Sequence, residues 1–473
     1  MKYIIAGLVL IGALTRYDSA YSAELSGFIS SKSDFGNPRV YGLFPTNRVP
    51  VFQETLELNL ISKAQVFEQF RFYGDVSAFG KLGYQFLSSD LKGQSVAGEP
   101  EKKDRRSVWL SVNELFLNYE IVPQLSVLVG KKRVMWGSGF SSNPTDLLNP
   151  PKNAIDPAAQ RKGSWLGLIE NPHETVTFSA LGAVEVTDND AGIPEKIFRF
   201  STANSAGQSK HFIYALRAYS LISEGDLNLM VYYSNLYQDT FKNKFRGGVS
   251  YSKYATKQME LHSEILLQQG SSRQYVDSKC IQANPLVCVK NGIPLFASQR
   301  LESKSLTPQL LLGGRFDFEN ESALTLEFLH QNDGYTSNEF EDFVHLMSFI
   351  KELRLQEKLA ALTIGNTDTD VKSAGKMLMK NYAILNYQRY KFKEDFWGGF
   401  SWILNLQDSS GLVSPSLTWN PEDWCSLGVS GLATFSMNKS AGATRTATES
   451  RRTTEYDLFP SSYRLAFDMK AYF

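Results

Sequence analysis

Apolar side chains return at every second position of this chain, and the places between them are polar or charged. The last eleven residues show it best. Tyr463, Leu465, Phe467, Met469, Ala471 and Phe473 share one parity, while Arg464, Asp468 and Lys470 fall on the other with Ala466 and Tyr472. Period two puts successive side chains on opposite faces of an extended strand. A tilted strand of about ten residues crosses a hydrocarbon layer. An apolar face toward lipid and a charged face toward a wet lumen explain the alternation.

The rhythm recurs along the chain. Leu56, Leu58 and Leu60 alternate with Thr55, Glu57 and Asn59, and Leu115, Leu117 and Tyr119 with Glu114, Asn118 and Glu120. Leu227, Leu229, Val231 and Tyr233 form another apolar row, as do Phe396, Phe400, Trp402 and Leu404. Met259, Leu261, Ile265 and Leu267 oppose Glu260, His262 and Glu264, and Leu324, Leu326 and Phe328 oppose Thr325 and Glu327. Roughly eighteen such runs are present, and bacterial barrels close with even strand numbers. The pattern therefore predicts an all-β fold: a transmembrane antiparallel β-barrel of about 16–18 strands. A soluble sandwich also alternates. It would bury its aromatic face in one core, whereas here that face runs aromatic-rich along the whole chain, opposite repeated carboxylates.

Connections are unequal. The stretch 221–225 reads as a tight turn, while 89–106, 137–173, 269–304, 333–375 and 436–460 are long. Short turns on one rim and long extracellular loops on the other is barrel asymmetry. One loop contains a predicted helix: Asn338 and Glu341 stand at capping-box spacing, and Phe343, Leu346, Ile350 and Leu353 repeat at helical spacing toward Leu362. Such a helix would cap the mouth, enter the lumen or lie on the rim. The stretch 436–460, rich in Ser, Thr, Ala and Arg, reads as a mobile external loop.

Composition agrees. The chain holds 31 Phe, 22 Tyr and 7 Trp, yet its mean hydropathy is only −0.25. After Leu14 no apolar run is long enough for a membrane helix. Residues 1–22 read as a cleaved signal peptide: Lys2, an apolar core from Tyr3 to Leu14, then Ala20-Tyr21-Ser22. The barrel domain would occupy 23–473. Lys plus Arg equal Asp plus Glu at 49 each, so charge gives no case for nucleic acid. Cys280 and Cys288 flank a short polar stretch and are read as a disulfide, two free thiols being the alternative. Cys425 reads as a small lipid-facing strand residue.

The densest motif is Gly130-Lys131-Lys132-Arg133-Val134-Met135-Trp136-Gly137-Ser138-Gly139, then Asn143-Pro144-Thr145-Asp146 and Asn149-Pro150. Strand parity carried past Val129 would push Lys131 and Arg133 into lipid at about 2–4 kcal/mol each. A bulge near Gly130 would instead turn both inward and Trp136 outward, as an interface anchor. The prolines end regular pairing beyond it. Two readings fit: a basic cluster and inward loop at a constriction, or a structural latch between loop and wall, with charges at headgroup level as a variant.

This motif resembles a widespread group of porin-like outer-membrane barrels patterned Gly-Lys-x-Arg-x-x-Trp-Gly-x-Gly, Asn-Pro-x-Asp and Asn-Pro. Further echoes are Glu327-Phe328-Leu329-His330 through Gly334-Tyr335, and Asn405-Leu406-Gln407-Asp408-Ser409-Ser410. The resemblance implies the fold and a cell outer-membrane location, and leaves the solute open. Separately, the last strand's ending on Phe473 resembles the C-terminal signal that the barrel-assembly machinery recognises.

The expected function is a porin-like channel passing a small-molecule solute, with outer-membrane lipid around it. Lys131, Arg133 and Arg315 are expected as cationic lining, Glu114, Glu260 and Glu327 as anionic lining, and His262 beside them. Glu260, His262 and Glu264 could also bind a divalent ion, but a salt-bridged wall needs none, so no metal or cofactor is expected. No nucleophile elbow or phosphate loop accompanies His173, His211, His262, His330 or His345, so an enzyme is not expected. The alternatives are a barrel scaffold serving a periplasmic or inner-membrane transport partner, or an adhesin acting through its loops.

Overall fold

In a computed structural model of the chain the described residues are 22–38, 52–84, 104–149, 152, 154–155, 163–184, 212–234, 245–269, 275–276, 296–297, 306–352, 377–391, 395–437, 454–458 and 461–473. The expected signal peptide, apart from Ser22, and the pair Cys280 and Cys288 lie outside them.

Alternation folds as strands throughout. The first half holds β1 (Ser22–Pro38), β2 (Phe52–Phe67), β3 (Phe70–Tyr84), β4 (Asp104–Val122), β5 (Leu125–Lys132), β6 (Ser164–Pro172), β7 (Val176–Val184), β8 (Phe212–Ile222), β9 (Gly225–Ser234) and β10 (Phe245–Thr256). The second holds β11 (Met259–Gln269), β12 (Tyr275–Val276), β13 (Phe296–Ala297), β14 (Leu306–Asp317), β15 (Ser322–Gln331), β16 (Asn381–Arg389), β17 (Phe396–Asn405), β18 (Ser410–Glu422), β19 (Cys425–Ser436) and β20 (Ser461–Tyr472). β12 and β13 form a small ribbon of their own, and the other 18 make one antiparallel sheet. β1 pairs with both β2 and β20, so the sheet closes on itself. The expected barrel is thus the structure, at the upper strand number.

The faces sort by parity. Outward side chains stand exposed, among them Leu216 at 62%, Val129 at 60%, Leu326 at 56% and Met469 at 52%. Inward polar ones are covered, with Glu264 at 0% and Asn59, Asp75 and Glu327 at 1%. An apolar exterior around a ladder with no free edge is how strands cross a bilayer. The closed 18-strand barrel fits an outer-membrane location. Cys425 pairs with Ala471 on the outer parity. At the seam Arg464 Nη2 lies 2.6 Å from Asp34 Oδ2, and Phe473 exchanges both backbone hydrogen bonds with Gly27, at 2.9 and 3.0 Å.

One rim carries tight turns. The turn Ser223–Glu224 takes positive φ at both residues, 51° and 65°, matching a two-residue hairpin. The opposite rim carries the long connections. Three details of the loops differ from expectation. Ser164–Pro172 is strand β6 rather than loop, because Leu166 and Leu168 have an inner apolar wall to pack on. The helix α1 (Ser337–Glu352) starts earlier than predicted. Its box is Thr336 with Glu339, whose Oε2 accepts from both the Thr336 N–H and hydroxyl at 2.7 Å. Residues beyond Glu352 in the predicted helix are outside the described ones. Third, the 454–456 part of the predicted mobile loop is buried.

The lumen is also less uniformly polar than its parity suggests. Two apolar clusters form against the inner wall. One gathers Trp136, Val134 and Leu148 with Leu128, Leu166, Leu168, Leu181, Ile213, Met230 and Tyr232. The other joins Tyr335, Phe340, Phe343 and Tyr456 to Leu329, Tyr382, Ile384, Ile403 and Leu412. Connections from the long-loop rim therefore fold inward, and α1 enters by its Phe340 and Phe343 side.

Candidate functional site

The site begins where β5 fails as a strand. Gly130 takes φ 141°, and a Cβ there would lie 2.2 Å from the Leu115 carbonyl oxygen. The register irregularity itself is next door in β4, where Asn113 stands extra opposite Asp75 and Val76. After Lys132 the chain leaves the sheet, and Pro144 lacks the N–H to resume it. Segment 133–149 turns into the barrel, where its backbone donors need partners.

Two carboxylates of the opposite wall supply them. Glu264, on β11, accepts the Gly139 N–H at 2.6 Å, the Thr145 N–H at 3.0 Å and the Thr145 hydroxyl at 2.7 Å. Glu327, on β15, accepts the Phe140 N–H at 2.6 Å and the Ser141 N–H at 2.7 Å. His262 Nε2 lies 2.8 Å from the same Glu327. A carboxylate has no hydrogen to give, so Nε2 is the donor. Fully covered carboxylates are costly unless hydrogen-bonded; here each has three donors. Successive N–H groups around an anion form a nest.

The glycines of the motif follow from this close approach. A Cβ on Gly137 would sit 2.5 Å from Glu264 Oε1, and one on Gly139 would sit 2.0 Å from the Ser142 carbonyl oxygen. Gly313 serves the other carboxylate: a Cβ there would be 2.2 Å from His262 Nε2. The rest of the motif ties the loop together. Asn149 Nδ2 donates to the Val134 carbonyl at 2.6 Å and to Asp146 Oδ1 at 2.8 Å. Tyr232 Oη donates to the Thr145 carbonyl, and Asn386 Nδ2 to Ser141 Oγ, both at 2.7 Å.

The predicted site residues divide accordingly. Glu327 and His262 meet in the latch. Glu114 accepts the Arg133 backbone N–H at 2.8 Å. Lys131 is covered, at 8% exposure, and its Nζ donates to the Val112 carbonyl at 2.6 Å. Glu260 and Arg315 are cross-strand neighbours near the tight-turn rim, and Arg315 Nε donates to Asp317 at 2.8 Å. Trp136 is a correction. It is 2% exposed inside the barrel instead of anchoring outside at the interface. Parity counting stops applying once the chain has left the sheet, and the indole then packs on the inner apolar wall.

Glu264 carries more of the site than sequence reasoning gave it; its only signal was the i, i+2 spacing from His262. Arg217 and Tyr232 gave none. Among the described residues no group of three or more His, Cys, Asp or Glu is arranged to hold a metal ion.

The other motif echoes frame the second inward element. Gln331 Nε2 donates to the Met377 and Met379 carbonyls, each at 2.7 Å, and the Tyr335 N–H to the Leu378 carbonyl at 2.9 Å. The short turn Glu455–Leu458 then docks on them. Glu455 accepts from Leu378 N–H at 2.6 Å, from Tyr382 Oη at 2.7 and 2.8 Å, and from Asn405 Nδ2. Its own N–H donates to Asp408 at 2.7 Å. Burial pushes the Glu455 carboxyl up to about 7; the Asp408 charge adds to the rise, and the donors oppose it.

No protein-family model and no curated protein matches the chain. Among solved structures it is similar to Pseudomonas aeruginosa OccK7 (OpdD), over 96% of this chain and 98% of that one, with TM-score 0.47 and 9% identity. It is also similar to a mutant porin of Rh. blastica, over 96% and 100%, with TM-score 0.36 and 8% identity. The fold stands on the chain's own strand pairing, not on these likenesses.

Proposed function

We propose that the protein is an outer-membrane channel of the porin-like group, narrowed by segment 133–149, through which a small solute passes by diffusion. The latch carries this reading. Two buried wall carboxylates are committed to holding a piece of the chain's own backbone at mid-barrel, and a loop fixed there sets the width of any path beside it. A barrel whose lumen sheaths a protein partner would have no use for a covalent loop in that space. Fixed charges and width would then select solutes, with no chemical step.

Purified protein in planar bilayers tests this. The expected result is single-channel conductance from the protein alone, rising when Glu264 and Glu327 are both replaced by Ala. A correctly folded barrel that carries no current in either form would overturn the reading.

A further inference from the structure

The motif segment brings Trp136 over a cation that the latch does not use. Arg217 lies on the inward parity of β8, between Ala215 and Tyr219. Its guanidinium carbon is 5.7 Å from the Trp136 ring centroid and 5.0 Å from that of Tyr219. Nε donates to Asn228 Oδ1 at 2.7 Å, and Asn228 Nδ2 in turn donates to Ser250 Oγ at 3.1 Å. The group thus lies within cation–π distance of two rings and is turned by one amide. Among the described residues Arg217 makes no ion pair. Its wall neighbours Glu170 and Ser179 bond each other at 3.4 Å, and Asp226 is taken by the Tyr219 hydroxyl.

Aromatic neighbours attract a guanidinium without using its N–H donors, which stay available to a planar, bidentate acceptor. A single Nε bond occupies one donor, and both Nη groups remain. We infer that Arg217, between Trp136 and Tyr219, is a docking point in the lumen for the carboxylate of a small organic solute. A monoanion is favoured over phosphate because Glu170 and Asp226 share this wall, and like charge disfavours a dianion more strongly. The inference rests on the channel reading and names its solute class.

The test uses the full mature protein in planar bilayers in KCl, with benzoate or inorganic phosphate added to one side. Benzoate is expected to block wild-type current saturably, half-blocking at a concentration at least tenfold below that of phosphate. Arg217→Gln should raise the benzoate half-block at least tenfold while KCl current persists. Arg217→Lys, which keeps the charge and loses the fork, should raise it several-fold. Arg217→Lys also provides the readout if Arg217→Gln does not fold. Equal benzoate block in wild type and Arg217→Lys, or stronger block by phosphate, overturns the carboxylate site while the channel reading stands. A folded barrel carrying no current either as wild type or with Glu264 and Glu327 both replaced by Ala fails the channel reading, and this inference with it.

Discussion

Ser141 donates its backbone N–H to Glu327 at 2.7 Å, from 186 positions earlier in the chain. With the Phe140 contact beside it, this fixes the tip of the inward segment to β15. A peptide donor left unpaired in a covered site costs about 1–3 kcal/mol, and Glu327→Ala orphans two of them together with His262. The inward segment should then detach while the strand ladder persists. Limited trypsin digestion of the folded barrel in detergent reads this, since Arg133 and Lys152 flank the loop. Faster cleavage there in Glu327→Ala than in wild type is expected; an unchanged digest would mean the latch does not hold the segment.

Gly313 is fixed by space and not by backbone angle. A Cβ there would fall 2.2 Å from His262 Nε2 and 2.8 Å from Glu327 Cγ. Gly313→Ala should separate the pair and destabilise the barrel by about 1–3 kcal/mol, the usual cost of overpacking. His262→Ala opens the same space, so the double variant should lose less than the sum of the two singles. Unfolding midpoints in urea for the four proteins give the coupling. Strict additivity would show that Gly313 is not there to seat the pair.

Trp136 is the largest side chain of the inward segment. It packs against Tyr232 at 6.2 Å between ring centroids, within the apolar wall of β5–β9. Truncating a buried aromatic costs about 3–5 kcal/mol, so Trp136→Ala should release the segment and raise conductance. Trp136→Phe should do neither. If Trp136 were a surface anchor instead, both variants would leave the conductance near wild type.

The barrel was legible because its physics is periodic. Lipid on one side and lumen on the other imprint parity on each strand, and Tyr463 to Phe473 show it unaided. Legibility ended where periodicity did. Trp136 is sent outward only by assuming a bulge near Gly130 and carrying the shifted parity into a segment that is not a strand; β5 keeps its register through Gly130. Glu327 and His262 were recognised as inward, yet their role depends on a backbone more than a hundred residues away, which has no local signature. The motif glycines were visible as a pattern, but their reason, room beside Glu264, exists only once the loop is folded. Glu455 is hidden in a stretch whose composition reads as a mobile external loop, although Thr454, Glu455 and Tyr456 are buried.

Glu455 gives the fold a pH dependence with a definite sign. Its carboxyl is covered between Tyr382, Asn405 and the Leu378 N–H, with Asp408 and Tyr456 close by, and it is raised from an ordinary 4.5 to about 7. Once the turn 455–458 undocks into water, the carboxyl returns to its ordinary range. The docked state therefore binds the proton more tightly, and docking is strongest below about pH 4.5. It weakens as pH climbs through 7 and is level above that. At ~1.4 kcal/mol per tenfold the full span is on the order of 3 kcal/mol, enough to move a marginal docking equilibrium. Hydrogen exchange at the Leu378 and Glu455 amides should quicken between pH 5 and 8 beyond the intrinsic base-catalysed rise. In Glu455→Gln, which stays neutral, that excess should vanish. An equal excess in the variant would assign the dependence to another group.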